Sequence, residues 1–364
     1  MRRVKAQEAS LRRAGRKRRG SARASGAAVS EDPARPAGVE KPAVVVTGAS
    51  SGLGLHGAEA LAKQGSHHVV LACRDVAKAE RAAQQKGMPD DAYTVLHLDL
   101  ASNNSVRAFV RQVRSLQLPL SALVVNAASY TWAYTLPGGF KLGNWSPRRT
   151  ADGFEQAVGI NHLGHFLLTN LLIPDLQQST SPDPRVILVG TVTAGLGKDS
   201  VGGKIPPVPD LGDFTGLKAH MQEPHVMIDG GEFDPVKAYK DSKLCNMLTM
   251  RQLHHKFHQE TGITFSSLYP GCIAETNLFR EAPLLFRTLF PWFQKNVTKG
   301  YVSQEEAGRR LAQAVTDPKL SESGAFWSWK EDASAFENDV SDKVADEEKG
   351  AELWNLSAKA VGLA

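Results

Sequence analysis

The feature that most constrains the fold is a short apolar run that ends in glycines. Pro42–Thr47 passes directly into Thr47-Gly48-Ala49-Ser50-Ser51-Gly52-Leu53-Gly54, and helical spacing of apolar residues takes over from Gly52 to Lys63. A run without polar alternation suits a strand buried on both faces of a parallel sheet. The glycines permit a tight turn and let backbone N–H groups approach a pyrophosphate, while the following helix offers its positive end to that anion. Three glycines anywhere are weak evidence; set between strand and helix they point to a dinucleotide site.

The pattern repeats along the chain. Strand-like runs follow at 68–73, 93–98, 120–126, 185–191 and 264–269, and helix-period segments lie at 75–86, 102–116, 150–178, 234–260 and 304–316. Parallel neighbours need crossovers, so the alternation predicts an α/β fold: a Rossmann-type doubly wound parallel sheet, one domain over 41–364. Residues 192–232 are rich in Gly and Pro and lack a period. They predict a long ordered loop inserted immediately before the helix-period segment at 234–260.

Charge is unevenly spread. The formal +5 arises in residues 1–30, which hold ten of the 43 Lys/Arg and one of the 38 acids. The remainder is net acidic, so no nucleic-acid groove is expected in the folded part. Met1–Glu40 is rich in Arg, Ala and Ser without an apolar core, which reads as an organellar transit segment or a disordered basic arm. No apolar stretch reaches the roughly 18 residues of a spanning helix. Cys73, Cys245 and Cys272 form neither a metal spacing nor an even disulfide set, so a reducing compartment and no metal are expected.

The spacing Gly-x3-Gly-x-Gly after Thr47 resembles the short-chain dehydrogenase/reductase family. That resemblance assigns Thr47, Gly48, Ser50, Ser51, Gly52, Leu53 and Gly54 to the cofactor. The second strand ends Ala72-Cys73-Arg74-Asp75. An Arg at this point pairs with the 2′-phosphate of NADPH, whereas an acid would favour NADH. Arg74 therefore selects NADPH, and Asp75 can cap the next helix. Asp99 in Leu98-Asp99-Leu100 matches a position near the adenine. Asn126 and Ala127 match the segment beneath the cofactor, and Thr276 a nicotinamide contact.

Tyr239-Lys240-Asp241-Ser242-Lys243 puts Tyr239 and Lys243 on one helix face. A free Tyr titrates near pH 10, and a neighbouring ammonium is expected to lower it toward a working range. Asn161 matches the family Asn that holds a proton-relay water. Thr191 takes the usual Ser position, with Thr193 a near alternative. His162 and His165 lie in an apolar segment and are expected to pack the core. His254, His255 and His258 read as a solvated face.

Longer segments are similar to the light-dependent protochlorophyllide reductases: Ala238 to Thr249, Leu268-Tyr269-Pro270-Gly271-Cys272-Ile273-Ala274, Phe290 to Lys295, Thr298 to Ser303 and the final Val361-Gly362-Leu363-Ala364. The likeness runs from about Lys41 to the C-terminus; Asn144 to Arg148 and neighbouring residues follow no pattern. It implies reduction of the C17=C18 double bond of protochlorophyllide, with hydride from NADPH and a proton delivered after light absorption. Tyr239 is the implied proton donor and Cys272 a second one. Tyr269, Gln294 and Cys272 are the implied pigment contacts. The 47 residues between Thr191 and Tyr239 agree, because a large planar pigment needs extra walls. The likeness and the tail together imply a plastid, with peripheral contact to thylakoid or inner plastid membranes and self-association as expectations. Two competing functions share the same motifs. One is a dark-active reductase of retinoid, steroid or lipid carbonyls; the other is a pigment- and NADPH-binding assembly protein.

Overall fold

The computed structural model describes residues 41–135, 140–195, 206–330 and 332–364. The tail 1–40 and the segment 196–205 of the long loop lie outside them. The opening apolar run is strand β1 (Ala43–Thr47), buried along its whole length. It leads through the glycine turn into α1 (Gly52–Gln64). Then come β2 (His68–Cys73), α2 (Val76–Gln85), β3 (Tyr93–His97), α3 (Asn103–Ser115) and β4 (Leu120–Val125). Polar side chains set the helix starts: Asp75 accepts from Lys78 N, and Ser102 from Ser105 N.

The helix expected from residue 150 starts later. Asp152-Gly153 makes a turn, with Gly153 at φ +89° and its N–H on Thr150 O at 3.0 Å. The Glu155 carboxylate then caps Ala157 N and Val158 N, both at 2.9 Å. A π-helical turn, Val158–Gly164, follows and runs into α4 (His165–Gln177). Between β4 and this turn the chain makes a small antiparallel hairpin, β5 (Ala133–Thr135) with β6 (Lys141–Gly143).

The second half supplies β7 (Arg185–Val189), α5 (Pro235–Leu253), β8 (Thr264–Leu268), α6 (Leu284–Asn296) and α7 (Gln304–Thr316). It ends with β9 (Phe326–Trp329), β10 (Ala335–Glu337) and α8 (Glu347–Ala360). The sheet order is β10-β9-β8-β7-β4-β1-β2-β3, parallel except for β10. This is the doubly wound arrangement that the alternation predicts.

Successive residues of β1 serve opposite faces. Ala43 and Val45 join one core with Phe109, Phe166 and Leu248, and Val44 and Val46 join another with Leu61 and Leu311. The strand order reverses between β1 and β4, so a crevice opens at their carboxyl ends, where such folds bind ligands.

Candidate active site

The turn after β1 fits a bound phosphate group. Gly48 has φ +70°, and a Cβ there would stand 2.9 Å from Ala127 Cα. Ser51 begins α1 in extended backbone without a side-chain cap bond, so its hydroxyl does not occupy the N–H groups of the first turn. Ser50, Ser51 and Gly52 share a cavity of about 350 Å3 with Lys78 and Arg81. The Thr276 methyl lies 3.7 Å from where a Gly52 Cβ would be, which puts Thr276 over the turn. Arg74 is exposed just past β2, while Asp75 is committed to capping α2. Asp99 accepts from Ala101 N at 3.0 Å in the turn after β3.

Two of the expected cofactor residues act from inside the protein. Leu53 buries its side chain in the core. Thr47 is fully buried, and its hydroxyl oxygen accepts from Asn126 N and Ala127 N, each at 2.9 Å. Asn126 in turn donates from Nδ2 to Thr47 O at 2.7 Å. These bonds lock the ends of β1 and β4 together, so the turn and the strand end beneath it form one rigid floor.

Asp234 accepts from Val236 N and Lys237 N and starts α5 with Pro235 in its first turn. One turn further in, Lys243 Nζ stands 5.9 Å from the centre of the Tyr239 ring. It donates to Val189 O, at the end of β7, at 2.8 Å. Burial lowers the Lys243 ammonium to about 8. The expected lowering of Tyr239 is reversed: burial, reinforced by Tyr130, raises its phenol above the ordinary value. Desolvation disfavours the phenolate, and it sets the direction of the shift. Tyr239 thus keeps its proton at neutral pH, as a donor requires.

Asn161 is fully buried between the β4 exit and α5. Its side chain accepts from Ser129 N at 2.7 Å and donates to Ser129 O and Ser242 Oγ, both at 3.0 Å. Both amide hydrogens are engaged by protein, so the side chain ties the β4 exit to α5. Thr191 Oγ1 lies 3.1 Å from Thr193 Oγ1, so the two candidate hydroxyls share one bond.

Beyond β8, Tyr269 and Cys272 close the same end of the sheet. Burial raises Tyr269, with Cys272 and Tyr239 adding to the shift, and burial pushes the Cys272 thiol up to about 11. Cys272 is held through its backbone, which accepts from Val302 N and donates to Gly300 O. Gln294 Oε1 accepts from Thr298 Oγ1 at 2.7 Å and so shapes the turn after α6.

Sequence reasoning missed Tyr130, whose ring meets Tyr239 edge-on at 5.1 Å. From it an aromatic series continues through Phe279 at 6.0 Å to Phe286, which Trp132 also approaches. The residues come from three separate segments, so no local spacing marks them. Part of the long loop is stapled to α5: Lys237 bonds Asp229 and the buried Asp241, and Asp241 accepts from Asp210 N. Of the outlying histidines, His255 meets Glu347, His254 meets Ser323 Oγ and His258 meets Ile263 O.

A family model described as short chain dehydrogenase matches residues 42–201. The chloroplastic protochlorophyllide reductase of Chlamydomonas reinhardtii is 55% identical over 328 residues, 90% of this chain and 80% of that one. Protochlorophyllide reductase A of Arabidopsis thaliana, also chloroplastic, is 56% identical over 323 residues, 88% and 77% of the two chains. Among solved structures, the Pseudomonas aeruginosa RhlG/NADP active-site complex gives a TM-score of 0.56 at 19% identity, covering 79% of this chain and 94% of that one. The 3-ketoacyl-(acyl-carrier-protein) reductase of Brucella melitensis complexed with NADH gives 0.54 at 20% identity, covering 79% and 96%. These two speak for the fold alone. With the sheet order and relatives this similar over most of its length, the chain belongs to the protochlorophyllide reductases of the short-chain dehydrogenase family.

Proposed function

We propose that this oxidoreductase uses NADPH and light to reduce the C17=C18 double bond of protochlorophyllide to chlorophyllide, a step of chlorophyll biosynthesis. The observation that carries the reading is that Tyr239 and Cys272 both lie close enough to Tyr269, just past β8, to act on its phenol. The residues present fit NADPH: no Ser51 side-chain bond occupies the N–H groups that open α1, and Arg74 is exposed where a 2′-phosphate is recognised. NADPH, when bound, supplies the hydride. Gly48, Ser50, Ser51 and Gly52 would hold its pyrophosphate, Arg74 its 2′-phosphate, and Lys243 its nicotinamide ribose. Tyr239 holds the proton for the other carbon, with Cys272 as the second donor. Tyr130, Phe279 and Phe286 offer aromatic surface to a planar pigment and keep water from the reacting bond.

Purified protein mixed with NADPH and protochlorophyllide is expected to form a red-shifted product on illumination and none in darkness. Dark turnover of a carbonyl substrate without a photoproduct would overturn the reading. Arg74→Ala is expected to weaken NADPH binding by about tenfold and NADH binding by less than twofold, since only NADPH loses a charge-assisted contact. Titration of both nucleotides by fluorescence checks this; equal losses would remove Arg74 from the 2′-phosphate site.

The curated relatives are chloroplastic, and we extend that location to this chain, with residues 1–40 as the plastid address. No helix among the described residues is long and apolar enough to cross a membrane. The outward face of α6 exposes Leu284, Leu285, Leu289 and Trp292. That face supports peripheral contact with plastid membranes or self-association.

A further inference from the structure

His165 lies in a segment whose composition suggests plain core packing, yet both of its ring nitrogens are engaged at the site. Nδ1 is 3.0 Å from Asn161 O, and Nε2 is 2.9 Å from Thr47 Oγ1. A carbonyl only accepts, so Nδ1 carries the proton. Nε2 of the neutral ring is then an acceptor, and the Thr47 hydroxyl donates to it. Its alternative acceptor, Val124 O, is farther away at 3.3 Å. This direction leaves the Thr47 oxygen free to accept from Asn126 N and Ala127 N, as observed.

We propose that His165 is a positioning residue, a neutral imidazole that fixes the nucleotide-holding floor against the proton-donating helix. On one side it reaches Thr47 and the ends of β1 and β4. On the other it reaches Asn161, whose amide is bonded to Ser242 of α5, three residues from Tyr239. The bridge requires an uncharged ring, because a second N–H would face a hydroxyl already donating. Burial supplies that condition, and the neighbouring Lys243 reinforces it, holding the imidazole near 3. His165 is only 2% exposed, so water does not compete for either nitrogen. Small misalignment between reacting groups is expensive in rate, which is how a residue behind the site can govern turnover.

The inference rests on the NADPH-dependent photoreduction reading, and the test separates the two. Wild-type protein that fails to photoreduce protochlorophyllide counts against that reading alone, whereas the imidazole and NADPH measurements require no pigment. His165→Phe keeps the ring volume and removes both bonds. It is expected to lower kcat for photoreduction about tenfold at saturating NADPH, with NADPH Kd within about twofold of wild type. His165→Gln, which retains an acceptor and a donor, is expected to recover at least half of the lost rate. Thr47→Val combined with His165→Phe should cost little more than Thr47→Val alone, because Thr47→Val already removes the bond to His165 together with those to Asn126 N and Ala127 N. A folded His165→Phe protein with wild-type kcat, no recovery in His165→Gln, or losses that multiply in the double variant would each overturn the proposal. If His165→Phe does not fold, nitrogen NMR of the wild-type imidazole decides. A neutral Nδ1–H ring that does not titrate between about pH 6 and 9 supports the bridge, and an Nε2–H ring or a titrating one overturns it.

Discussion

Replacing Tyr239 with phenylalanine is expected to slow photoreduction by about 10²–10⁴-fold while NADPH binding stays within about twofold, the range associated with losing a positioned acid. The ring contributes packing that phenylalanine retains: it lies edge-on to Tyr130 at 5.1 Å, and no hydroxyl is needed for that contact. What is lost is the proton. Burial keeps the phenol protonated well beyond neutrality, so the wild-type donor step should show no acid–base inflection in Tyr239 across the neutral range. The Cys272 thiol, pushed up to about 11, also stays protonated there. A pH profile therefore cannot tell the two donors apart, and substitution must. Cys272→Ala removes the thiol while leaving the backbone bonds to Gly300 and Val302 available, and it should cost less than Tyr239→Phe if the phenol is the donor. Single-turnover spectroscopy after a flash separates the hydride and proton steps. Wild-type proton transfer in Tyr239→Phe would assign the proton to Cys272 or to water.

How much of this was legible in the sequence depended on whether the signal was local. β1, the glycine turn, α1 and α7 could be read because each carries its period and its boundary within a few residues. Ser102 capping α3 is one such boundary. The helix at 150 was overextended because apolar periodicity from Ala157 onward masked the Asp152-Gly153 turn in front of it. α6 went unassigned because Pro291, which lies inside the helix, reads in the sequence as a break in the helical pattern. β9 and β10 are only four and three residues long, too short for a period to show. In the site, Tyr239 and Lys243 share one helix and were readable as a pair. The bonds that tie Asn161 and His165 to other elements join residues 32, 81 and 118 positions apart, and no spacing rule reaches them. The direction of the Tyr239 shift was missed for a related reason. Burial is a property of the assembled site, and the ammonium at i+4 was the only influence visible locally.

The largest effect on cofactor binding is expected from a single methyl group at Gly54. Gly54 lies in the first turn of α1 and has ordinary helical backbone, so the reason for glycine is space and not conformation. A Cβ there would stand 2.5 Å from Asn126 Nδ2 and 2.8 Å from Gly48 O. Neither neighbour can yield cheaply. Asn126 Nδ2 is held at 2.7 Å by Thr47 O, and the Gly48 carbonyl belongs to the turn itself. Relief requires α1 to move off the floor formed by Thr47, Asn126 and Ala127, which carries its N-terminal N–H groups away from the phosphate position. Gly54→Ala should therefore weaken NADPH binding by about 10²-fold, with an overpacking cost of about 1–3 kcal/mol in stability. Gly87 provides the comparison, since nothing lies within 4 Å of a Cβ there. Its φ of +63° makes alanine strained, so Gly87→Ala should lower stability by about 1 kcal/mol with NADPH affinity unchanged. Isothermal titration and thermal denaturation of both variants separate the two costs. Equal NADPH affinity in Gly54→Ala and Gly87→Ala would mean that the turn tolerates the displaced helix and that the close packing at Gly54 serves only the fold.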